Sequence, residues 1–189
     1  MRKETIELDH RQRKKAEKFA DARCCPDQTK EYKRRGGFKR EDILVGALGE
    51  IAVAKYLQAL GFAVNDPDFE IYDAKNKSFD CDLTDGKRLF HVKSQSKKSA
   101  KMYGESWLLQ RRDPLVNSPT IKDYIIPCVV DLETNTATIY GVMSFRAIVK
   151  NNGIGECKVH QLRHSKVALY LESMKELSHS IRWGVIGRV

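Results

Sequence analysis

Between Asp42 and Gly61 this 189-residue chain is apolar almost all the way round a helix, and that run constrains the fold more than any other feature. Ile43, Leu44, Val45, Leu48, Ile51, Val53, Leu57 and Leu60, with alanines between them, leave no broad polar stripe. A helix of this kind is buried, so other layers must cover it. Glu50 lies in its middle, with Ala47 and Ala54 at neighbouring helical positions, and Gly46 and Gly49 would let another backbone come close. An unpaired carboxylate there would cost on the order of several kcal/mol, so Glu50 needs a cation or a hydrogen-bond donor. A Lys or Arg partner, a place at the helix edge facing water, and a metal ion all meet that need.

A second signal follows in SFDCDLTDGKRLFHVKSQS, which reads as two short strands around Asp85-Gly86. Asp-Gly favours a two-residue hairpin loop because it tolerates the positive φ angles of a type I′ turn. Side chains alternate along a strand, so Leu89, His91 and Lys93 share one face while Phe90 and Val92 share the other. With Asp85 and Gly86 as the loop, Thr84 pairs with Lys87, Asp82 with Leu89 and Asp80 with His91. Asp80 and Asp82 then join His91 and Lys93 on one face. Opposed residues are about 5 Å apart and diagonal ones about 7–8 Å, close enough for such groups to converge on one ion. An exposed polar hairpin with incidental ion pairs is the plainer alternative.

The succession of Gly49-Glu50 in an apolar helix, Asp82 on a hairpin and then Val92-Lys93 resembles the PD-(D/E)XK nuclease superfamily, in particular its small phage and bacterial members. The likeness covers roughly residues 41–96 and is weaker in Ser106-Trp107-Leu108 and Asp113-Pro114-Leu115. It implies a restriction-endonuclease-like core and metal-dependent hydrolysis of DNA phosphodiester bonds. Glu50 and Asp82 would hold Mg²⁺ or Mn²⁺, and Lys93 would assist the attacking water. His91 would join the catalytic and ligand set, with Asp80 a reserve ligand and Gln95 in reach of water or phosphate. His91 stands where the family has a carboxylate. That departure keeps a second outcome open, a DNA-binding protein that retains the fold without cleavage. Many members pair to cut two strands, so a homodimer is a further expectation.

Charge supports a polyanion partner. The net charge is +9, and residues 1–40 hold 14 Lys/Arg against 7 Asp/Glu, which places +7 of the total in this segment. Arg11, Arg13, Lys14, Lys15, Lys33, Arg34 and Arg35 are its candidate nucleic-acid contacts. A solvated surface is the alternative, and an anionic membrane fits less well because no bulky apolar face accompanies the charge. No run of about 18 apolar residues is present, and Met1 is followed by charge, so neither a membrane span nor secretion is expected. Five irregularly spaced cysteines (Cys24, Cys25, Cys81, Cys128, Cys157) suit a reducing cytoplasm better than a disulfide framework.

The chain reads as a basic helical N-terminal extension over 1–40 and an α/β domain over 41–189, with a central mixed sheet flanked by helices. Residues 5–23 read as helix, and 62–64 and 69–72 as short strands. A β-rich pair follows at 124–131 and 136–142, then a short helix at 144–150 and a strand at 166–171. Pro127 argues that its strand lies at an edge or a bulge. Cys157, His160 and His164 have a spacing that zinc sites use, but the usual paired cysteines are missing. The histidines therefore read as polar surface, near phosphates. Trp107 and Trp183 read first as core or interface aromatics and second as base-stacking residues.

Overall fold

The structure, a computed structural model, describes residues 3–24, 40–70 and 81–180. The elements run β1 (Glu4–Glu7), α1 (His10–Arg23), α2 (Arg40–Ala59), β2 (Leu83–Thr84), β3 (Leu89–Ser96), α3 (Lys97–Tyr103), β4 (Ser106–Gln110) and α4 (Pro114–Asn117). They continue with β5 (Asp123–Asp131), β6 (Thr136–Ile139), β7 (Met143–Ser144), α5 (Phe145–Lys150), β8 (Ile154–Glu156), β9 (Lys166–Tyr170) and α6 (Leu171–Ser180). The main sheet has the order β1-β6-β5-β3-β2, with β7 also beside β5, and a small sheet has the order β4-β9-β8. Strands β3 and β5 run parallel while the other pairings are antiparallel. The expected α/β class with a mixed central sheet and flanking helices is thus what forms.

The apolar run DYIIPCVVD explains why β5 is central. Ile126, Cys128 and Val130 join the core beneath α1 and α2, while Ile125 and Val129 face a second core with Trp107, Phe145 and Leu169. A strand covered on both faces needs no polar alternation. Helix α2 fills the first core with Leu44, Leu48, Ala52 and Leu57 against Phe90 and Val92. The alternation expected in β3 therefore holds. Trp107 is 1% exposed and donates its indole N–H to the Cys128 carbonyl, so it belongs to the core and is no base-stacking platform. Trp183 lies outside the described residues.

Several expectations need correction. Residues 5–7 are strand, not helix: β1 pairs antiparallel with β6, and α1 begins only after Asp9. Asp9 and Gln12 form a reciprocal capping box there, which fixes the start. Ala16 and Ala20 of α1 are fully buried in the first core, so residues 3–24 share the sheet and the packing of the rest. No strand forms over 62–70; instead Asn65 bonds Thr84 through both its backbone N–H and its side-chain oxygen. Residues 71–72 lie outside the described residues.

Pro127 does not mark an edge. It sits inside β5 where the partner changes, because β7 pairs with Tyr124 and Ile125 and β6 pairs from Cys128 onward. A residue's N–H and C=O project to the same side of its strand. The Pro127 carbonyl accepts from the Tyr140 N–H, so its missing donor lies on the β6 side and the ladder loses the reciprocal bond of that pair. Among the described residues no helix is long and apolar enough to cross a membrane.

Candidate active site

Gly49 positions the first acid. A Cβ added there would come within 1.9 Å of Ser94 Oγ and 3.0 Å of Cys128 Sγ, so α2 approaches β3 and β5 at a point where only glycine fits. Among the described residues a Cβ on Gly46 would meet nothing within 4 Å, so Gly46 plays no such part. The next residue, Glu50, is carried to the strand pair and is partly buried. Burial pushes its carboxyl up to about 8. Repulsion from Asp82 adds to the rise, Lys93 and Arg23 oppose it, and Asp68 adds a smaller push. Among the described residues the side chains of Glu50 and Lys93 make no hydrogen bond or ion pair, although the Lys93 charge reaches Glu50.

Asp82 is placed by a hairpin whose register differs from the expected one. Thr84 pairs with Leu89 and Leu83 with Phe90, so residues 85–88 form the turn. The cause is Asp85, whose Oδ1 accepts from the N–H groups of both Lys87 and Arg88 and so closes a longer loop. Gly86 has φ +80°, where glycine is favoured. The shift is by two positions, so faces are kept while partners change. Asp82 now follows Leu83 into the position opposite His91. Its backbone N–H donates to the Phe90 carbonyl, and its Oδ2 accepts from the Val92 N–H at 2.6 Å. Asp80, which the shorter loop would have set against His91, lies outside the described residues.

His91 has a different partner. Its Nε2 is 2.9 Å from Asp123 Oδ1 on the parallel neighbour β5. Asp123 Oδ2 accepts from both the backbone N–H and the hydroxyl of Thr120. Burial acts to raise the Asp123 carboxyl, but the bonds from Thr120 and His91 outweigh it and hold the group below its ordinary value. Glu50, Asp82 and His91 do not come together as a three-ligand group; among the described residues no group of three or more His, Cys, Asp or Glu is arranged to hold a metal. Two carboxylates that repel each other still suit a hard cation by their chemistry.

The expectations for Gln95 and Arg13 change with the geometry. Gln95 is buried and spent inside the fold, donating to the Gly104 carbonyl and accepting from the Ser106 N–H, so it is not available to phosphate. Cys157 is buried while His160 and His164 are exposed, and the three form no ligand set. In the basic segment Arg11, Lys14 and Lys15 are exposed. Arg13 instead bonds Glu17 and the Leu132 carbonyl, which makes it part of the packing. Lys33, Arg34 and Arg35 lie outside the described residues.

Sequence reading missed Asp123, Asp68 and Arg23. Asp123 heads an apolar strand, and its neighbourhood with His91 depends on a parallel pairing that leaves no local mark. Asp68 follows the turn-forming Asn65-Asp66-Pro67, a context that reads as solvent-facing loop. No protein-family model, no curated protein and no solved structure matches this chain.

Proposed function

We propose that this chain is a metal-dependent nuclease that hydrolyses DNA phosphodiester bonds. The observation that carries the reading is the set of charges around one helix carboxyl: Glu50, raised by burial and by Asp82, with Lys93 pulling the other way. Two carboxylates that repel each other favour a shared cation, and a lysine whose charge reaches them suits a reaction that builds negative charge on phosphate. Glu50 and Asp82 would hold Mg²⁺ or Mn²⁺, which supplies Lewis acidity to phosphate oxygen and acidifies water. Asp82 offers one oxygen for this, since the other is held by the Val92 N–H. Lys93 orients the attacking water and offsets charge on the phosphate. Arg11, Lys14 and Lys15 supply sequence-independent attraction to the DNA backbone. With one such set per chain, cutting both strands calls for a pair of chains.

One observation favours a second reading, a DNA-binding protein without cleavage. His91 is engaged with Asp123, which leaves Glu50 and Asp82 as the carboxylates of the expected set among the described residues. Incubating supercoiled plasmid with the protein and Mg²⁺, Mn²⁺ or a chelator, with duplex binding measured in parallel, separates the two. Nicking that needs the metal supports the nuclease. Binding with no nicking in either metal supports the second reading, and neither binding nor nicking removes both.

A further inference from the structure

Arg111 and Arg163 are 52 positions apart and meet at one end of the small sheet. The Arg111 guanidinium donates twice to the Arg163 carbonyl, at 3.2 and 2.8 Å, and the Arg111 N–H donates to the Ser165 carbonyl. The Arg163 Nε in turn donates to the Cys157 carbonyl at 3.0 Å. This brings the end of β4, the turn after β8 and the start of β9 together. Arg112, Lys158, His160, Arg163 and His164 are exposed around it. Against the four cations Arg111, Arg112, Lys158 and Arg163 stand, among the described residues, the carboxylates of Glu156, Asp113 and Glu172, the last acting on Tyr170, whose ring carries Lys158. Glu156 is a loose neighbour, 3.8 Å from Arg111, and Asp113 is turned to cap α4 through the Leu115 N–H.

We propose that this end of the small sheet is a docking surface for the phosphate backbone of duplex DNA, carried on different elements from Glu50, Asp82 and Lys93. The inference rests on the reading that the substrate is DNA. Guanidinium forks match phosphate oxygens, and arginines already anchored on backbone carbonyls lose little freedom on binding. A membrane would ask for an apolar face beside the charge. Among the described residues Leu108 is the one exposed large apolar side chain on the strands of this sheet. His160 and His164 border the cations and add donors for phosphate oxygens.

The test is the salt dependence of duplex binding by the full chain, compared with Arg112→Glu/Lys158→Glu and with Arg146→Glu/Lys150→Glu, a charge-matched pair exposed on α5. The first pair should weaken binding about ten-fold or more and flatten the slope of log K against log salt by about 2, near 0.9 per phosphate contact. The α5 pair should leave the slope almost unchanged. If the first pair lowers the melting temperature, Arg112→Gln carries the test, with an expected slope change of about 0.9. An unchanged slope in the sheet variants overturns this inference and leaves the DNA reading standing. Equal losses in both pairs overturn it too, since net charge alone would then account for them. Failure of the unaltered protein to bind duplex, or a preference for anionic vesicles over duplex, overturns this inference and the DNA reading together.

Discussion

The Asp82 carboxylate accepts a hydrogen bond from the Val92 backbone N–H at 2.6 Å, which ties a hairpin acid to the strand position next to Lys93. Strand β2 ends after pairing with Phe90 and Leu89, and the Asp82 side chain takes up the next donor along β3. One group therefore continues the ladder and charges the site at once.

The two roles separate by substitution. Asp82→Asn keeps an oxygen able to accept from Val92, so it should melt close to the unaltered protein while losing metal-dependent cleavage. Asp82→Ala leaves the N–H without that partner and should cost about 1–2 kcal/mol in addition. Urea denaturation of both variants checks this. Equal stability in the two would mean that the Asp82–Val92 bond contributes nothing to the fold.

Gly49 gives a second contrast. Gly49→Ala puts a methyl group into Ser94 and Cys128 and should destabilise by about 1–3 kcal/mol as the helix backs off. Gly46→Ala enters open space and should be neutral or stabilise by up to about 1 kcal/mol through helix propensity. Thermal melts of the two variants would show the difference, and similar melting temperatures would refute the close contact.

Stability should also depend on pH through Glu50. Its folded carboxyl is raised from 4.5 to about 8, so in that interval the folded chain keeps a proton that the unfolded chain releases. The contribution from Glu50 is present below pH 4.5 and is lost as pH rises towards about 8. Glu50→Gln should remove this slope and gain a few kcal/mol at alkaline pH, on the scale of about 1.4 kcal/mol per pH unit. Mn²⁺ added at alkaline pH should raise the melting temperature of the unaltered protein and not that of Glu50→Gln. The decisive data are denaturation curves at pH 5 and at pH 8; parallel pH profiles for the two proteins would contradict the assignment.

Much of this arrangement was legible in the chain itself. The all-round apolar pattern from Asp42 to Gly61 announced a buried helix, and alternation in Leu89–Lys93 separated Phe90 and Val92 from His91 and Lys93. What failed was whatever depended on a distant partner or on one side chain's choice of donor. Asp-Gly suggested a two-residue loop, but the Asp85 carboxylate captured two N–H groups and lengthened it. The tetrapeptide Glu4–Glu7 offers only Thr5 and Ile6 as strand formers, too short a signal until β6 is beside it. Pro127 looked like an edge because nothing local shows that β7 gives way to β6 at that point. The pairing of His91 with Asp123 spans 32 positions and follows from parallel register alone.

That pairing reverses an intuitive repair. Replacing His91 with Glu would supply the acidic residue that the resemblance to PD-(D/E)XK nucleases asks for, yet it would set a second carboxylate against Asp123. At neutral pH, where the pair must either repel or hold a proton that the unfolded chain releases, His91→Glu should lose about 2 kcal/mol of stability or more. His91→Glu/Asp123→Asn should recover most of it. Equilibrium unfolding of the single and double variants measures the coupling, and a single variant as stable as the unaltered protein would show that His91 and Asp123 are not coupled.

The central claim is that Glu50, Asp82 and Lys93 act as one catalytic set on DNA. Cleavage of a labelled duplex under single-turnover conditions in Mn²⁺, with the unaltered protein beside Glu50→Gln, Asp82→Asn and Lys93→Met, tests it most directly. The unaltered protein should cleave only with the metal. Each variant should lose at least about a hundred-fold, with double variants little worse than single ones because the three act as a unit. Cleavage that survives in all three variants, or none by the unaltered protein in either metal while it still binds the duplex, would contradict it.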